Sequence, residues 1–195
     1  IWSMHFIGML AFRLPIALGY DVWITTLSLL IAIATSGYAL WIVTRSELPL
    51  RRLFGSALLM GTGIAGMHYT GMAAMRMTPG IDYDLVLFIA SILIAVAASA
   101  AALWIAFSLR RNTPYVKAAR AGASVVMGVA IVGMHYTGMA AATFPNGSVC
   151  LSAREGVGTG WLAILVIVVT LAVLSIALLT SVLDARLESR TAKLA

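Results

Sequence analysis

All three histidines of the sequence, His5, His68 and His135, share one setting: a methionine directly before and another four residues after. Residues 66–74 and 133–141 are the same nonapeptide, Gly-Met-His-Tyr-Thr-Gly-Met-Ala-Ala, and residues 4–9 read Met-His-Phe-Ile-Gly-Met. An imidazole flanked by thioethers is a soft donor set that suits copper, above all Cu(I), better than Mg, Ca or Mn. Neutral imidazole also suits zinc and haem iron, so nitrogen leaves those two open and the methionines tilt the choice to copper. No Asp or Glu lies within the apolar segments near the histidines, which argues against a carboxylate-bridged di-iron site or a metallohydrolase. Nor do these segments hold paired carboxylates, a nucleophile beside a base, or a phosphate loop, so the chain does not read as an enzyme.

On a helix at about 100° per residue, the methionine four residues after each histidine lies ~40° around and one turn along. His5 and Met9, His68 and Met72, and His135 and Met139 therefore share faces. Met4, Met67 and Met134 point ~100° to the other side, and Gly8, Gly71 and Gly138 fall between, where a small residue lets a neighbouring helix approach. Tyr69 and Tyr136 follow their histidines by one residue, as donors of a supporting hydrogen bond or as interfacial aromatics; Phe6 in the first copy shows that no hydroxyl is needed at every copy. The plain alternative is that methionine fills gaps and a membrane histidine bonds across helices. Three matched sets on co-directional helices weigh against it, and ionisable residues at membrane depth mark function by default.

The positioning elements follow from composition. A hydrophobic fraction of 62%, a charged fraction of 10% and a mean hydropathy of +1.00 make the bilayer the solvent. Apolar segments run over residues 1–12, 22–43, 53–75, 84–108, 120–143 and 160–183, each later one close to the ~20 residues that cross a ~30 Å core. Lipid offers the backbone no hydrogen bonds, so helices are required. The expectation is an all-α membrane protein, a bundle of about six transmembrane helices in three two-helix repeats with pseudo-threefold symmetry. The chain opens inside an apolar segment, so a seventh helix is expected upstream. His5, His68 and His135 are 63 and 67 residues apart, two crossings each, which places all three motifs at the same end of the bundle.

Ten of the 13 Lys and Arg residues fall on one side, at 45–52, 110–120 and the C-terminus, against Arg13, Arg76 and Arg154 on the other. The positive-inside rule turns the ten to the cytoplasm, so the formal charge of +6 is topological and does not point to nucleic acid. The motifs then face outward and the C-terminus inward. Residues 1–183 form the membrane domain, and 184–195, with alternating charge and Leu183, Leu187 and Leu194 at near-helical spacing, read as a cytoplasmic linker helix. Trp2, Trp23 and Trp161 are expected in the outer aromatic belt and Trp41 and Trp104 in the inner one. Cys150 has no partner in the chain, which excludes a disulfide.

Residues 66–74 and 133–141, with the variant at 4–9, resemble the MHYT family of bacterial integral membrane sensor domains, named for that tetrapeptide. The resemblance covers nearly the whole chain. It implies a cytoplasmic-membrane domain with the motifs near the periplasmic face, binding copper and through it sensing a diatomic gas such as oxygen, carbon monoxide or nitric oxide, or redox state. Its candidate ligands are Met4, His5 and Met9, then Met67, His68 and Met72, then Met134, His135 and Met139. It further implies cyclic-di-GMP synthesis and hydrolysis domains as cytoplasmic effectors in the same full-length chain; the linker points to a homodimer surrounded by membrane lipid. A copper or small-molecule transporter or channel is the second reading, and a haem-binding membrane protein the third.

Overall fold

The computed structural model describes the backbone of residues 1–45, 47–109 and 116–194. Arg110 and Arg111 lie outside the described residues, as do the side chains of Lys117, Arg120, Arg190 and Lys193.

The apolar segments are helices: α1 (Trp2–Ala11), α2 (Val22–Val43), α3 (Leu50–Ala73), α4 (Leu85–Ser108), α5 (Val116–Ala141) and α7 (Thr159–Leu194), with a single turn α6 (Ser152–Glu155) before the last. Their starts are chemically marked. Asp21 Oδ1 accepts from the amides of Trp23 and Ile24, and Asp84 Oδ1 from that of Leu87, satisfying donors that a helix start leaves free. Pro49 precedes α3, where its missing N–H costs nothing.

Four of these helices are long and apolar enough to cross a membrane: α2, α4, 121–141 of α5 and 159–183 of α7. Only 11–22% of the residues in their apolar windows are buried inside the protein. Apolar surface on that scale needs a non-aqueous solvent, which identifies the fold as an all-α membrane domain. α3 has the length, 24 residues, but carries Arg51 and Arg52. α1 has 10 residues, about 15 Å of helix, or half a hydrocarbon core. α7 runs unbroken from the last apolar segment to Leu194, 36 residues in all.

A feature with no sequence forerunner closes the end at which α1, α3 and α5 terminate. Three antiparallel two-residue ladders join β1 (Gly19–Tyr20) to β6 (Val157–Gly158), β2 (Met77–Thr78) to β5 (Val149–Cys150), and β3 (Asp82–Tyr83) to β4 (Ala142–Thr143). Backbone bonds tie this cap to the motif helices: Asp21 N–H donates to Ala74 C=O at 2.7 Å and Asp84 N–H to Ala141 C=O at 2.9 Å. Ala74 and Ala141 are equivalent in the repeat, each six residues after its histidine. Under the cap lies the main apolar cluster, which includes Trp2, Phe6, Met9, Tyr20, Met72 and Leu162. Cys150 is buried there, its thiol donating to Met75 C=O at 2.9 Å.

Trp2 departs from its expected place in an aromatic belt. It is buried, its Nε1–H donates to Ser28 Oγ of α2 at 2.9 Å, and its ring packs on Phe6. The face of α1 that carries it turns into the bundle, so the indole finds its polar partner inside. Trp23, Trp41, Trp104 and Trp161 are exposed, as belt residues should be.

Candidate metal centre

Each motif helix ends at the cap with its histidine about one and a half turns before the last residue, and the three side chains meet on the bundle axis. The Nδ1 atoms of His5 and His68 are 3.0 Å apart, those of His5 and His135 are 3.3 Å apart, and those of His68 and His135 are 3.3 Å apart. All three side chains are buried. The rings stand edge to face, with centroids 4.8–5.2 Å apart, so the triangle of nitrogens is a convergence of three ring edges and no stack.

Hydrogen bonding alone cannot satisfy this triangle. Each Nδ1 carries either one hydrogen or one lone pair. Whatever the tautomers, at least one of the three pairs sets lone pair against lone pair or N–H against N–H. A cation at the centre satisfies all three lone pairs together. With bonds of ~2.0 Å, nitrogen separations of 3.0–3.3 Å give N–metal–N angles of about 97–111°, close to tetrahedral, with a fourth position open. The donor set and spacing therefore fit a metal ion.

The far edges of the rings explain the motif glycines. A Cβ on Gly138 would stand 2.5 Å from His68 Nε2; one on Gly71 would collide with His5 Nε2, and one on Gly8 with His135 Nε2. The contacts run in a cycle, each histidine lying over the glycine of the next copy: His5 on Gly71, His68 on Gly138, His135 on Gly8. These glycines were expected to admit a neighbouring helix. What they admit is the neighbour's imidazole. The three Nε2 atoms are buried with no hydrogen-bond partner among the described residues.

The methionines fall into two groups. Met9 and Met72 are buried in the cluster under the cap and Met139 packs against it. Being four residues after their histidines, they lie about 6 Å further along each helix, between the nitrogen triangle and the cap. Met4, Met67 and Met134 disperse: Met67 into the main cluster, Met134 against Ile64 and Ala95, Met4 into a half-buried groove with Trp2 and Leu29. Neither tyrosine hydroxyl bonds an imidazole. Tyr69 OH donates to Ser91 Oγ at 2.7 Å, since Ser91 itself donates to Phe88 C=O, while the Tyr69 ring edge meets His68. Tyr136 packs edge-on to His135 and is 58% exposed.

Sequence reasoning passed over Asp21 and Asp84, which cap α2 and α4 and bond the motif helices. Their signal was present: each follows its histidine by sixteen residues.

Comparison with known proteins agrees with this repeat. Residues 1–56, 61–118 and 128–192 each match the MHYT family, described as a bacterial signalling protein N-terminal repeat. The chain is 65% identical over all 195 residues to the bifunctional diguanylate cyclase/cyclic di-GMP phosphodiesterase MucR of Pseudomonas aeruginosa, covering 28% of that protein. It is 44% identical over 149 residues, 72% of the chain, to the cyclic di-GMP phosphodiesterase NbdA of the same organism, and 39% identical over 146 residues, 74% of the chain, to the signalling protein YkoW of Bacillus subtilis; each match covers 18% of the relative. The chain thus spans less than a third of the length of these relatives. No solved structure gives a significant match. Three family matches in register with three copies of one histidine motif place the chain in the MHYT family of bacterial signalling domains.

Proposed function

We propose that this chain is a membrane-embedded sensor domain in which His5, His68 and His135 hold a copper ion through Nδ1, and that the state of this centre regulates cyclic-di-GMP turnover domains elsewhere in the same full-length protein. The observation that carries the reading is the buried nitrogen triangle with edges of 3.0–3.3 Å. Its tetrahedral spacing leaves a fourth position, and the chemistry copper supplies when bound is reversible addition of a diatomic ligand or a one-electron change. Met9, Met72 and Met139, layered between the triangle and the cap, are the thioethers that favour copper over zinc. Met4, Met67 and Met134, which disperse into separate packing sites, are not assigned to the centre. A porphyrin has no room between nitrogens this close, which disfavours haem.

The cap end carries Arg13, Arg76 and Arg154, while Arg45, Arg51, Arg52 and Arg186 belong to the other end, so the positive-inside rule supports a periplasmic centre and a cytoplasmic C-terminus in the inner membrane. α7 passes next to α1 and continues to Leu194, which supports reading residues 184–195 as the linker that carries a change in motif packing to the effector domains, one of a pair in a homodimer. The names of the relatives support cyclic di-GMP as the output.

Elemental mass spectrometry of the detergent-purified domain, wild type beside a His5/His68/His135 triple alanine variant, tests the centre. Copper at one per chain in the wild type and none in the variant is expected. No copper in the wild type after anaerobic Cu(I) loading refutes it.

A further inference from the structure

The three copies are not equally enclosed. His68 is shielded by Tyr69, whose ring packs against both Phe88 and Tyr83 and whose hydroxyl is pinned by Ser91 of α4. His5 is shielded by Phe6, which Trp2 and Tyr20 back in turn. His135 instead borders a cavity of about 250 Å³ between α1 and α5, with Gly8, Ala11 and Met139 as walls and Arg13 and Tyr136 beside it. Ala11, Arg13 and Tyr136 are exposed, so this cavity reaches the outside of the bundle. Because Gly8 has no side chain, the ring of His135 itself forms part of the inner wall.

We infer that the cleft between α1 and α5 is the entrance by which a small uncharged molecule of two or three atoms reaches the histidine triad, with Ala11 and Tyr136 setting its width. This rests on the copper reading above. A cleft of about 250 Å³ has room for several molecules of two or three atoms beside the His135 ring. The walls are mainly apolar, which suits an uncharged diatomic better than a hydrated ion. Selectivity then arises at the cleft, before any contact with the metal ligands.

Ala11→Phe narrows the cleft from an exposed position, Tyr136→Ala widens it, and Val126→Phe, on an exposed apolar part of α5 away from it, is the control. The probe is carbon monoxide on the Cu(I)-loaded protein, followed by its C–O infrared band after flash photolysis. Ala11→Phe is expected to slow rebinding from solution at least tenfold with copper content and band position unchanged; Tyr136→Ala speeds it, and Val126→Phe leaves it alone. A second readout needs no metal and uses water as the visitor: exchange of the imidazole Cε1–H in D2O, located by mass spectrometry, runs at least tenfold faster at His135 than at His5 or His68, and Ala11→Phe removes that advantage. Wild-type rebinding in Ala11→Phe with the band intact, or equal Cε1–H exchange at the three histidines, overturns the entrance and leaves the copper reading standing. A wild-type protein that takes up no copper overturns both.

Discussion

Replacing Gly138 by alanine puts a methyl group where the edge of His68 now lies. The added Cβ stands 2.5 Å from Nε2 and 3.0 Å from Cδ2, and ordinary contact begins at 3.4 Å, so the ring must withdraw by about 0.9 Å. In the metal-free protein the imidazole can tilt away. In the loaded protein Nδ1 is held at ~2.0 Å, within about ±0.2 Å, so a shift of this size breaks the bond or is resisted as strain. Either way the cost falls on binding. Overpacking costs about 1–3 kcal/mol, which at about 1.36 kcal/mol per tenfold is a loss of roughly 5- to 150-fold in affinity. The same holds for Gly71→Ala through His5 and Gly8→Ala through His135, because the contacts are cyclic.

The motif supplies its own controls. Gly66 and Gly133 lie two residues before His68 and His135 and have nothing within 4 Å of an added Cβ. Their alanine variants keep wild-type affinity and gain up to about 1 kcal/mol of helix propensity. Competitive Cu(I) titration against a chromophoric chelator, on protein checked for folding by circular dichroism, reads all five variants on one scale. If Gly138→Ala and Gly133→Ala bind alike, the imidazole-over-glycine cycle is not what positions the ligands, and the reasoning fails.

Three further outcomes follow from the same structure. Ser28→Ala leaves the buried Trp2 indole N–H without its acceptor and is expected to cost about 1–3 kcal/mol in thermal unfolding, whereas Thr26→Ala, whose exposed hydroxyl bonds only its own helix, costs less than 0.5 kcal/mol. In the cap, burial holds the Tyr83 phenol up at about 12, with the neighbouring Tyr69 adding to it, and burial together with Cys150 raises Tyr20 further. The folded state thus binds these protons more tightly than the unfolded chain, whose phenols ionise near 10, so the stability they contribute is intact below about pH 10 and is lost as pH rises through about 12; melts across that window, with Tyr83→Phe flattening the slope, measure it. Arg76 has a left-handed backbone, φ 48°, and pairs at the surface with Asp21 at 3.5 Å and Glu155 at 3.3 Å. Arg76→Gly relieves about 1 kcal/mol of backbone strain and forfeits pairs worth about 0–1 kcal/mol, so its melting temperature should stay within a few degrees of wild type; a large loss would show that the pairs hold the cap together.

The helices were legible because each apolar run is longer than any strand and lipid permits nothing else. The meeting of the histidines was legible in kind, since identical motifs two crossings apart must share one end of the bundle. The order of contact was not. A repeat shows that His5, His68 and His135 are equivalent, but the pairing of each ring with the glycine of the next copy depends on how the three helices close around the axis. The cap was invisible for a simpler reason: strands of two residues have no period to detect, and their hydrogen bonds join segments up to 139 residues apart, as Gly19 to Gly158.

The deviations among the copies follow from which way each position faces. Those turned to the axis, the histidine, the glycine three residues on and the methionine four residues on, are kept in all three copies because all three serve one shared space. The position after the histidine meets a different wall each time: Phe6 is buried among Trp2 and Tyr20; Tyr69 finds Ser91; Tyr136 stands exposed beside the cleft. Eight residues after the histidine the three copies diverge again, Arg76 bridging two acids in the cap, Arg13 beside the cleft, and Thr143 in a ladder with Asp82. The departures at Phe6 and Thr143 are therefore local answers to local walls. They leave the first copy with the same inward chemistry as the other two, which is why its histidine completes the triangle.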